Sequence, residues 1–391
     1  MSRATFVLLW CFVFVIPWEE VVHLPVLGSL PHLVGVVACT VGVLHVLARG
    51  SLRPLSWFLA LAILFVIWAG ASGFWSIDPV ATRGRFLTYL QLAALAWLIW
   101  EIAWSPDRRR ALLEAYVLGG CIAAGGVIRN YLAGTSIDAE AARFSGLNSN
   151  PNEIALALVL GLPIAWYLSL SQSDRRIAWR WQLYIPLAIT AILLTASRGA
   201  SMAALVALLL IPWTQGHLRF RTKTVLYVVG VGSLVFASSF VPRASLERLR
   251  STRSNIETGS FGGRGAIWRA GLELVAEHPL AGVGAGAFGA AVRPTLGRRL
   301  SSHETFLSIL VEDGIVGLML FVMMLAGAMA SLPRLPTLQR RFSIVIVAVL
   351  AAGSLSAAWD YHKPLWFVLG LLAAQVAPAG GAQSPAQRFH S

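Results

Sequence analysis

A histidine marks the point where a polar, arginine-rich stretch gives way to a long apolar run. His303 lies in the sequence Ser-Ser-His-Glu-Thr-Phe-Leu-Ser-Ile-Leu-Val-Glu-Asp, which spans residues 301–313. An ionisable side chain at the edge of a membrane is costly to hold, so His303 is a candidate functional residue. A single histidine is more often structural than catalytic, and its surroundings must favour one role over the other.

Two arginines have positions that suit anion binding. Arg198 stands between two apolar segments, where an arginine that marks the membrane interface is an equally good interpretation. Arg264 follows Gly262-Gly263 and opens a predicted amphipathic helix over residues 264–278, where its positive charge opposes the helix dipole. Acidic residues are the ordinary choice there, so the combination of an arginine and a helix N-terminus predicts a phosphate-binding position.

Asp360 lies at the end of a later apolar segment and is a candidate partner for His303. A carboxylate beside an imidazole fixes its tautomer and favours its protonated form. The sequence leaves open whether Asp360 reaches His303.

The composition predicts the elements that position these residues. The chain has 391 residues, of which 57% are hydrophobic and 13% are charged, whereas soluble domains carry roughly 25% charged residues. We therefore predict an all-α polytopic membrane protein with about twelve transmembrane helices, in which residues 1–391 form a single integral membrane domain. The predicted spans are approximately 4–18, 30–48, 55–74, 87–104, 111–132, 153–170, 182–197, 199–213, 224–241, 304–331, 342–358 and 364–378.

The charges of the connections between the predicted spans predict the orientation of the protein in the membrane. Short connections rich in arginine and lysine alternate with connections that carry more acidic residues, and the positive-inside rule places the former in the cytoplasm together with both termini. Residues 242–302 then form a large external loop between the ninth and tenth predicted spans. Short amphipathic helices are expected in this loop, and Trp268 suits the membrane–water interface.

Several other functions are disfavoured. The net charge of +13 comes from arginines between predicted spans, which argues against nucleic-acid binding. The sequence Gly-Ala-Gly-Ala-Phe-Gly at residues 284–289 matches a dinucleotide fingerprint as a string, but it lacks the strand, helix and acidic residue that the fingerprint requires. The eight histidines are scattered without metal-ligand spacing, so no metal site is predicted.

Several separated motifs carry a resemblance to a known family. They are Phe-Ser-Gly-Leu-Asn-Ser-Asn-Pro-Asn at 144–152, Thr-Ala-Ser-Arg-Gly at 195–199, Gly-Arg-Gly-Ala-Ile-Trp at 263–268, His-Pro-Leu-Ala-Gly-Val-Gly at 278–284, Ser-His-Glu-Thr-Phe-Leu at 302–307 and Glu-Asp-Gly at 312–314. In this order they resemble the O-antigen ligase and polymerase superfamily of bacterial envelopes. The resemblance covers roughly residues 140–320, while the first four predicted spans match only in topology.

The resemblance implies a GT-C-like, metal-independent glycosyltransferase in the bacterial inner membrane, with a periplasmic active site and no cofactor. The implied donor is a glycan linked through pyrophosphate to undecaprenol, and the ligase acceptor is a sugar hydroxyl of the lipid A–core oligosaccharide. The implied partners are this donor, this acceptor and membrane lipids, with no nucleic acid.

The resemblance also implies roles for individual residues. The essential histidine of the family corresponds to His303, and its two key arginines correspond to Arg198 and Arg264, which would hold the donor pyrophosphate. Further implied residues are Asp360, as a catalytic residue, and Arg83 and Arg85, as donor-binding residues. The family usually has a small or amide-bearing residue after the histidine, whereas this chain has Glu304.

The chemistry suits these residue types. An imidazole with an unperturbed pKa of about 6.5 can accept the proton of a sugar hydroxyl near neutral pH. Arginines can stabilise the charge that develops on a leaving pyrophosphate, and attack opposite that group inverts the anomeric centre. We therefore predict an O-antigen ligase. The alternatives are an O-antigen or exopolysaccharide polymerase, a protein O-oligosaccharyltransferase and, from another class, a polysaccharide flippase or transporter.

Overall fold

The structure is a computed structural model that describes residues 3–19, 23–24, 28–137, 143–146, 150–215, 232 and 264–375. The predicted ninth span, 224–241, lies outside these residues except for position 232, and so does the predicted loop before residue 264. The described chain is almost entirely helical, with one short antiparallel pairing of His23–Leu24 with Gly28–Ser29.

Fifteen helices are described and numbered here in chain order. They are α1 (Arg3–Val15), α2 (Leu30–Arg49), α3 (Trp57–Ala71), α4 (Pro79–Ile102), α5 (Pro106–Leu132), α6 (Pro151–Leu170), α7 (Arg175–Gln182), α8 (Tyr184–Leu194), α9 (Arg198–Leu210), α10 (Arg264–Glu277), α11 (Phe288–Ala291), α12 (Arg293–Leu296), α13 (Thr305–Met329), α14 (Thr337–Ser354) and α15 (Lys363–Ala374). Short 3-10 turns extend several of them, at Ile16–Trp18, Ser72–Phe74, Ile211–Thr214 and Leu332–Arg334.

The chain is a multi-pass membrane protein. Seven helical segments of the described chain are long and apolar enough to cross a membrane, and three shorter apolar helices accompany them. Each predicted span outside 224–241 coincides with a helix, although the number that cross the membrane stays a prediction. A turn at residues 195–197 separates α8 from α9, the helices that coincide with the predicted seventh and eighth spans.

The core lies around α6 and α15. Every residue of α15 from Pro364 to Ala374 is buried, and α6 is buried over most of its length. A helix that is apolar on all sides must be enclosed by other elements, and α4 packs on α15 while α5, α8 and α9 pack on α6. The apolar outward faces of α2 and α3 remain exposed, as expected for helices that contact lipid.

α13 is interrupted at Gly314, which has φ 66° and ψ −170°. The chain over residues 279–284 runs alongside this break, and the amide nitrogens of Val283 and Gly284 donate to the carbonyl oxygens of Val311 and Glu312 at 2.9 and 2.8 Å. A Cβ at Gly314 would lie 2.2 Å from the carbonyl oxygen of Leu280. Only glycine allows both this backbone conformation and this close approach.

The glycine-rich string at 284–289 belongs to the same packed turn. It has no preceding strand, and the helix that follows, α11, spans four residues. Gly284 and Gly286 have φ of 108° and 75°, and a Cβ at Gly284 would lie 2.3 Å from Ser76 Oγ. The glycines therefore permit tight packing against the turn between α3 and α4.

α10 packs on the protein rather than lying only against the membrane surface. Its Ile267 and Ala270 join a second apolar cluster with Phe288, Val292 and Val311. The Trp268 indole N–H donates to the carbonyl oxygen of Ser302 at 3.0 Å. The amphipathic helix predicted at 264–278 is thus present, and its apolar side covers the start of α13.

Candidate active site

His303 has an unusual backbone conformation. Among the residues that the structure describes, the non-glycine residues with positive φ are Ala196 (φ 50°) and His303 (φ 51°). The left-handed conformation costs a residue with a Cβ roughly 1–2 kcal/mol. Such residues persist only where their surroundings hold them, and they concentrate at functional sites. Both residues lie in the motifs that carry the family resemblance.

The segment that precedes α13 holds His303 in place. Trp268 binds the Ser302 carbonyl from one side, and the Ser302 hydroxyl donates to the carbonyl oxygen of Glu304 at 2.8 Å. The Glu304 carboxylate caps α13 by accepting from the Leu307 amide. An acidic N-cap stabilises a helix start, which gives Glu304 a structural reason to replace the usual small or amide-bearing residue.

The electrostatic environment of His303 favours a neutral imidazole. Burial lowers the pKa of His303, and the positive charge of Arg264 lowers this pKa further. A carboxylate partner would instead raise the pKa of the imidazole. A neutral imidazole can accept a proton, so the environment keeps His303 in the form that a general base requires.

Arg198 is the first residue of α9 and follows the strained Ala196. Ser197 caps the helix by accepting from the Ala200 amide. Gly199 packs directly against the loop before α15, since a Cβ at Gly199 would lie 2.3 Å from Ser356 Cβ. The start of α9 is therefore fixed against the loop over residues 355–362.

The same loop is bound to the start of α13. The Thr305 hydroxyl donates to the carbonyl oxygen of Ala357 at 2.8 Å and accepts from the Trp359 amide at 2.9 Å. Because Ser356 contacts the start of α9, residues 355–362 join the two helix starts that carry Arg198 and His303. The third helix, α10, reaches the site through Arg264 and Trp268.

Asp360 lies in this loop and is fully buried. Its Oδ2 accepts from Arg85 Nη1 at 3.0 Å and from the Tyr89 hydroxyl at 2.5 Å. The loop thus brings Asp360 to the site region, where its carboxylate binds residues of α4. An orienting role of Asp360 towards His303 stays a prediction.

Arg85 and Arg83 have different environments although they are two residues apart on α4. Arg85 Nη1 also lies 3.4 Å from Glu312 Oε2, and its guanidinium stacks at 3.8 Å on the ring of Tyr361. Arg83 is exposed on the other side of the helix. The two arginines therefore do not form one clamp, and their predicted donor-binding roles stay predictions.

Sequence reasoning missed Glu312, Tyr89 and Tyr361. Glu312 lies in the Glu-Asp-Gly motif at 312–314, for which no role was predicted. In the structure its carboxylate binds Arg85 and also accepts from the amides of Gly286 and Phe288 at 2.8 and 3.4 Å. The sequence does contain a signal for this arrangement. Gly314 directly follows Glu312 and Asp313 within an apolar run, and this pattern indicates a break in the helix.

Part of the sequence is similar to a known protein family. Residues 183–322 match the family model described as O-Antigen ligase. This match supports the assignment of this part of the chain to the O-antigen ligase superfamily. The matched region contains Arg198, Arg264 and His303, whereas Arg83, Arg85 and Asp360 lie outside it. No curated protein matches the chain.

The superfamily indicates a glycosyltransferase-like enzyme of the O-antigen ligase and polymerase group. Within the described residues, no group of three or more His, Cys, Asp or Glu side chains is arranged to hold a metal ion. The chemically distinctive feature of the site is instead a half-buried imidazole near cationic helix starts.

Proposed function

We propose that this protein is an O-antigen ligase. It transfers a glycan from undecaprenyl pyrophosphate to a sugar hydroxyl of the lipid A–core oligosaccharide, on the periplasmic face of the bacterial inner membrane. The observation that carries this proposal is the strained, half-buried His303, whose pKa is lowered by burial and by the neighbouring charge of Arg264.

His303 acts as the general base in this proposal. The neutral imidazole accepts the proton of the acceptor hydroxyl as its oxygen attacks the anomeric carbon of the donor. The bond between that carbon and the pyrophosphate oxygen breaks, and the electron pair leaves with the lipid pyrophosphate. The attack comes from the side opposite the leaving group, so the anomeric configuration inverts, and no metal ion is needed.

Arg198 and Arg264 stabilise the leaving pyrophosphate. Its negative charge grows as the glycosidic bond breaks, and guanidinium groups bind phosphate oxygens through paired hydrogen bonds. Both arginines stand at the first described position of a helix, where the helix dipole adds to their positive charge. These interactions strengthen in the transition state and therefore accelerate the reaction.

Arg85 and Asp360 support this machinery. Their ion pair joins α4 to the loop that packs against the starts of α9 and α13. In this proposal Asp360 also helps to orient the imidazole, while Arg83 and Arg85 contribute positive charge to the donor side.

The test supplies purified protein with an undecaprenyl-pyrophosphate glycan and lipid A–core. Transfer to lipid A–core by the wild-type protein, and its loss in His303→Ala, is the expected result. His278→Ala, a change of an exposed histidine in the loop after α10, is the matched control and retains transfer. Normal transfer by His303→Ala would overturn the base role.

The reaction products distinguish the ligase from the alternative functions. A lengthened lipid-linked glycan identifies a polymerase, and a glycosylated protein identifies an O-oligosaccharyltransferase. Movement of the intact lipid-linked glycan across a vesicle membrane without transfer identifies a flippase.

A further inference from the structure

The turn that precedes Arg198 is bound by an arginine from a distant part of the chain. This turn spans residues 195–197 and joins α8 to α9. Arg143 Nε donates to the carbonyl oxygen of Thr195 at 3.2 Å, and Arg143 Nη2 donates to Asn152 Oδ1 at 2.9 Å. The guanidinium of Arg143 therefore connects the end of α8 to the first turn of α6.

The carbonyl oxygen of Thr195 requires a hydrogen-bond donor. Thr195 follows the last residue of α8, and the last carbonyl groups of a helix have no partner within that helix. Thr195 is fully buried, and a buried carbonyl group without a donor is costly. Arg143 supplies a donor, and a cation at a helix C-terminus also complements the helix dipole. Arg143 therefore stabilises the observed conformation of the turn.

The backbone around Arg143 is itself fixed by other helices. The Phe144 amide donates to the carbonyl oxygen of Leu194 at 3.1 Å. The side-chain amide of Asn130 donates to the carbonyl oxygen of Ser145 at 2.7 Å. Arg143 thus reaches the turn from a segment that is bonded to both α5 and α8, so that its side chain approaches Thr195 from a defined direction.

The conformation of this turn determines where Arg198 lies. Ala196 in the turn has φ 50°, and such a conformation persists only where surrounding contacts hold it. On the other side of Arg198, Gly199 packs against Ser356. The backbone of Arg198 is therefore fixed from both sides, by the turn that Arg143 binds and by the loop before α15.

We propose that Arg143 is a positioning residue, which holds the turn at 195–197 and thereby places Arg198 for the donor pyrophosphate. This inference rests on the proposed function, because Arg198 binds the leaving pyrophosphate there. Arg143 acts through the backbone of the turn and needs no contact with the substrate. A displacement of a catalytic group by about 1 Å can lower a rate roughly 10²-fold, so a small change in the turn is sufficient for a kinetic effect.

Hydrogen exchange tests the structural step without requiring transfer. Arg143→Lys keeps the positive charge, but an ammonium group lacks the fixed fork of N–H donors that a guanidinium has. We expect the amides of residues 195–199 to exchange roughly fivefold faster in this variant, measured by mass spectrometry on full-length protein in nanodiscs. Arg129→Lys, a change of an exposed arginine near the end of α5, is the matched control. Equal exchange of residues 195–199 in both variants would overturn the proposal.

Kinetic measurements test the effect of Arg143 on the reaction. In Arg143→Lys, kcat for consumption of the lipid-linked donor should fall on the order of tenfold. The KM for the donor should change by less than about twofold, because Arg198 acts mainly in the transition state. Arg129→Lys should behave as wild type. An unchanged kcat in Arg143→Lys, with normal transfer by the wild-type protein, would overturn the role of Arg143 and leave the proposed function intact.

The second partner of Arg143 provides an independent variant that leaves the arginine in place. Asn152→Ala removes the oxygen that accepts from Arg143 Nη2 and should lower kcat in the same direction. Asn152→Asp keeps an oxygen acceptor and should retain the wild-type kcat. Equal kcat values of these two variants would contradict a role for the contact between Arg143 and Asn152.

A double variant shows whether Arg143 acts through Arg198. Adding Arg143→Lys to Arg198→Lys should change kcat by less than about twofold, because the arginine that Arg143 positions is already absent. Losses that multiply would show that the two arginines act independently and would overturn the proposal. Faster exchange of residues 195–199 in Arg143→Lys, without donor consumption by the wild-type protein, would confirm that Arg143 holds the turn and would overturn the proposed function.

Discussion

The Arg85 guanidinium and the Asp360 carboxylate form an ion pair, with 3.0 Å between Nη1 and Oδ2, that joins α4 to the loop before α15. The Asp360 side chain is fully buried, and the Arg85 side chain is 17% exposed. The Tyr89 hydroxyl donates to the same carboxylate oxygen, and Glu312 binds the same arginine. One guanidinium therefore connects three parts of the chain that are far apart in sequence.

Removal of one partner of this pair should destabilise the protein strongly. Asp360→Ala leaves Arg85 with less compensation in a buried position, and we expect a loss of about 3–5 kcal/mol in the free energy of unfolding. Glu114→Ala is the matched control, because its ion pair with Arg110 is partly exposed and contributes about 0.3–0.5 kcal/mol. Thermal unfolding in detergent measures both effects, and equal losses would contradict a structural role of the buried pair.

The base role of His303 can be separated from its backbone strain. Asparagine tolerates the left-handed conformation that His303 adopts but cannot accept the proton. His303→Asn should therefore unfold at the wild-type temperature while kcat falls by roughly 10²–10⁴. His303→Val, whose branched side chain disfavours this conformation, should also unfold at a lower temperature. Substantial transfer by His303→Asn would contradict the base role.

The pKa of His303 should depend on Arg264. The positive charge of Arg264 lowers this pKa, so its removal in Arg264→Gln should raise the pKa towards the ordinary value of about 6.5. The pH dependence of His303 modification by diethyl pyrocarbonate, followed by mass spectrometry, measures this shift without requiring transfer. Arg269→Gln, on the exposed side of the same helix, is the control, and an equal shift in both variants would exclude a specific effect of Arg264.

The same shift predicts the pH dependence of transfer. A general base works in its neutral form, so the rate should rise as pH increases through the lowered pKa of His303, with the midpoint of this acid limb below pH 6.5. An acid limb centred well above pH 6.5 would contradict the neutral, desolvated imidazole.

The break in α13 should depend on glycine at position 314. Gly314→Ala places an alanine at a positive φ and puts its Cβ 2.2 Å from the Leu280 carbonyl oxygen. Gly297 has a similar φ of 72° with no atom within 4 Å of a built Cβ, so Gly297→Ala should cost only about 1–2 kcal/mol. We expect a clearly larger fall in unfolding temperature for Gly314→Ala, and similar falls would show that the close approach contributes nothing.

The predicted orientation can be tested with single cysteines. After replacement of Cys11, Cys39 and Cys121, an impermeant maleimide applied to cells with a permeable outer membrane should label Arg293→Cys. Arg340→Cys should react only after the inner membrane is opened. Both positions are exposed and lie at opposite ends of α13 and its neighbours. The reversed pattern would place His303 in the cytoplasm and contradict the proposed periplasmic reaction.

The local sequence pattern was sufficient to predict the helices and to identify several candidate site residues. Apolar segments of membrane-spanning length predict α2, α6 and α13 because an unpaired backbone cannot remain in lipid. The predicted helix at 264–278 coincides with α10, since its apolar spacing follows the helical period. His303 could be named because an ionisable side chain beside an apolar run is costly to hold, and Arg264 because a cation is unusual at a helix N-terminus.

The partners of these residues required the tertiary structure. Asp360 pairs with Arg85 and Tyr89, which precede it by more than 270 positions, and no spacing rule connects such distant residues. Glu312 reaches the amides of Gly286 and Phe288 because α13 breaks at Gly314. An unbroken helix would not allow residues 279–284 to pair with its backbone.

The sequence by itself determined that this is a helical membrane protein with an ionisable residue, His303, at a membrane boundary, because hydrophobicity and charge act locally along the chain. The tertiary structure decided that the starts of α9 and α13 pack against one loop, that Arg264 lowers the pKa of His303, and that Arg85 is bound by buried carboxylates. These relationships depend on how distant helices pack, and packing is determined by the shapes of all the side chains together.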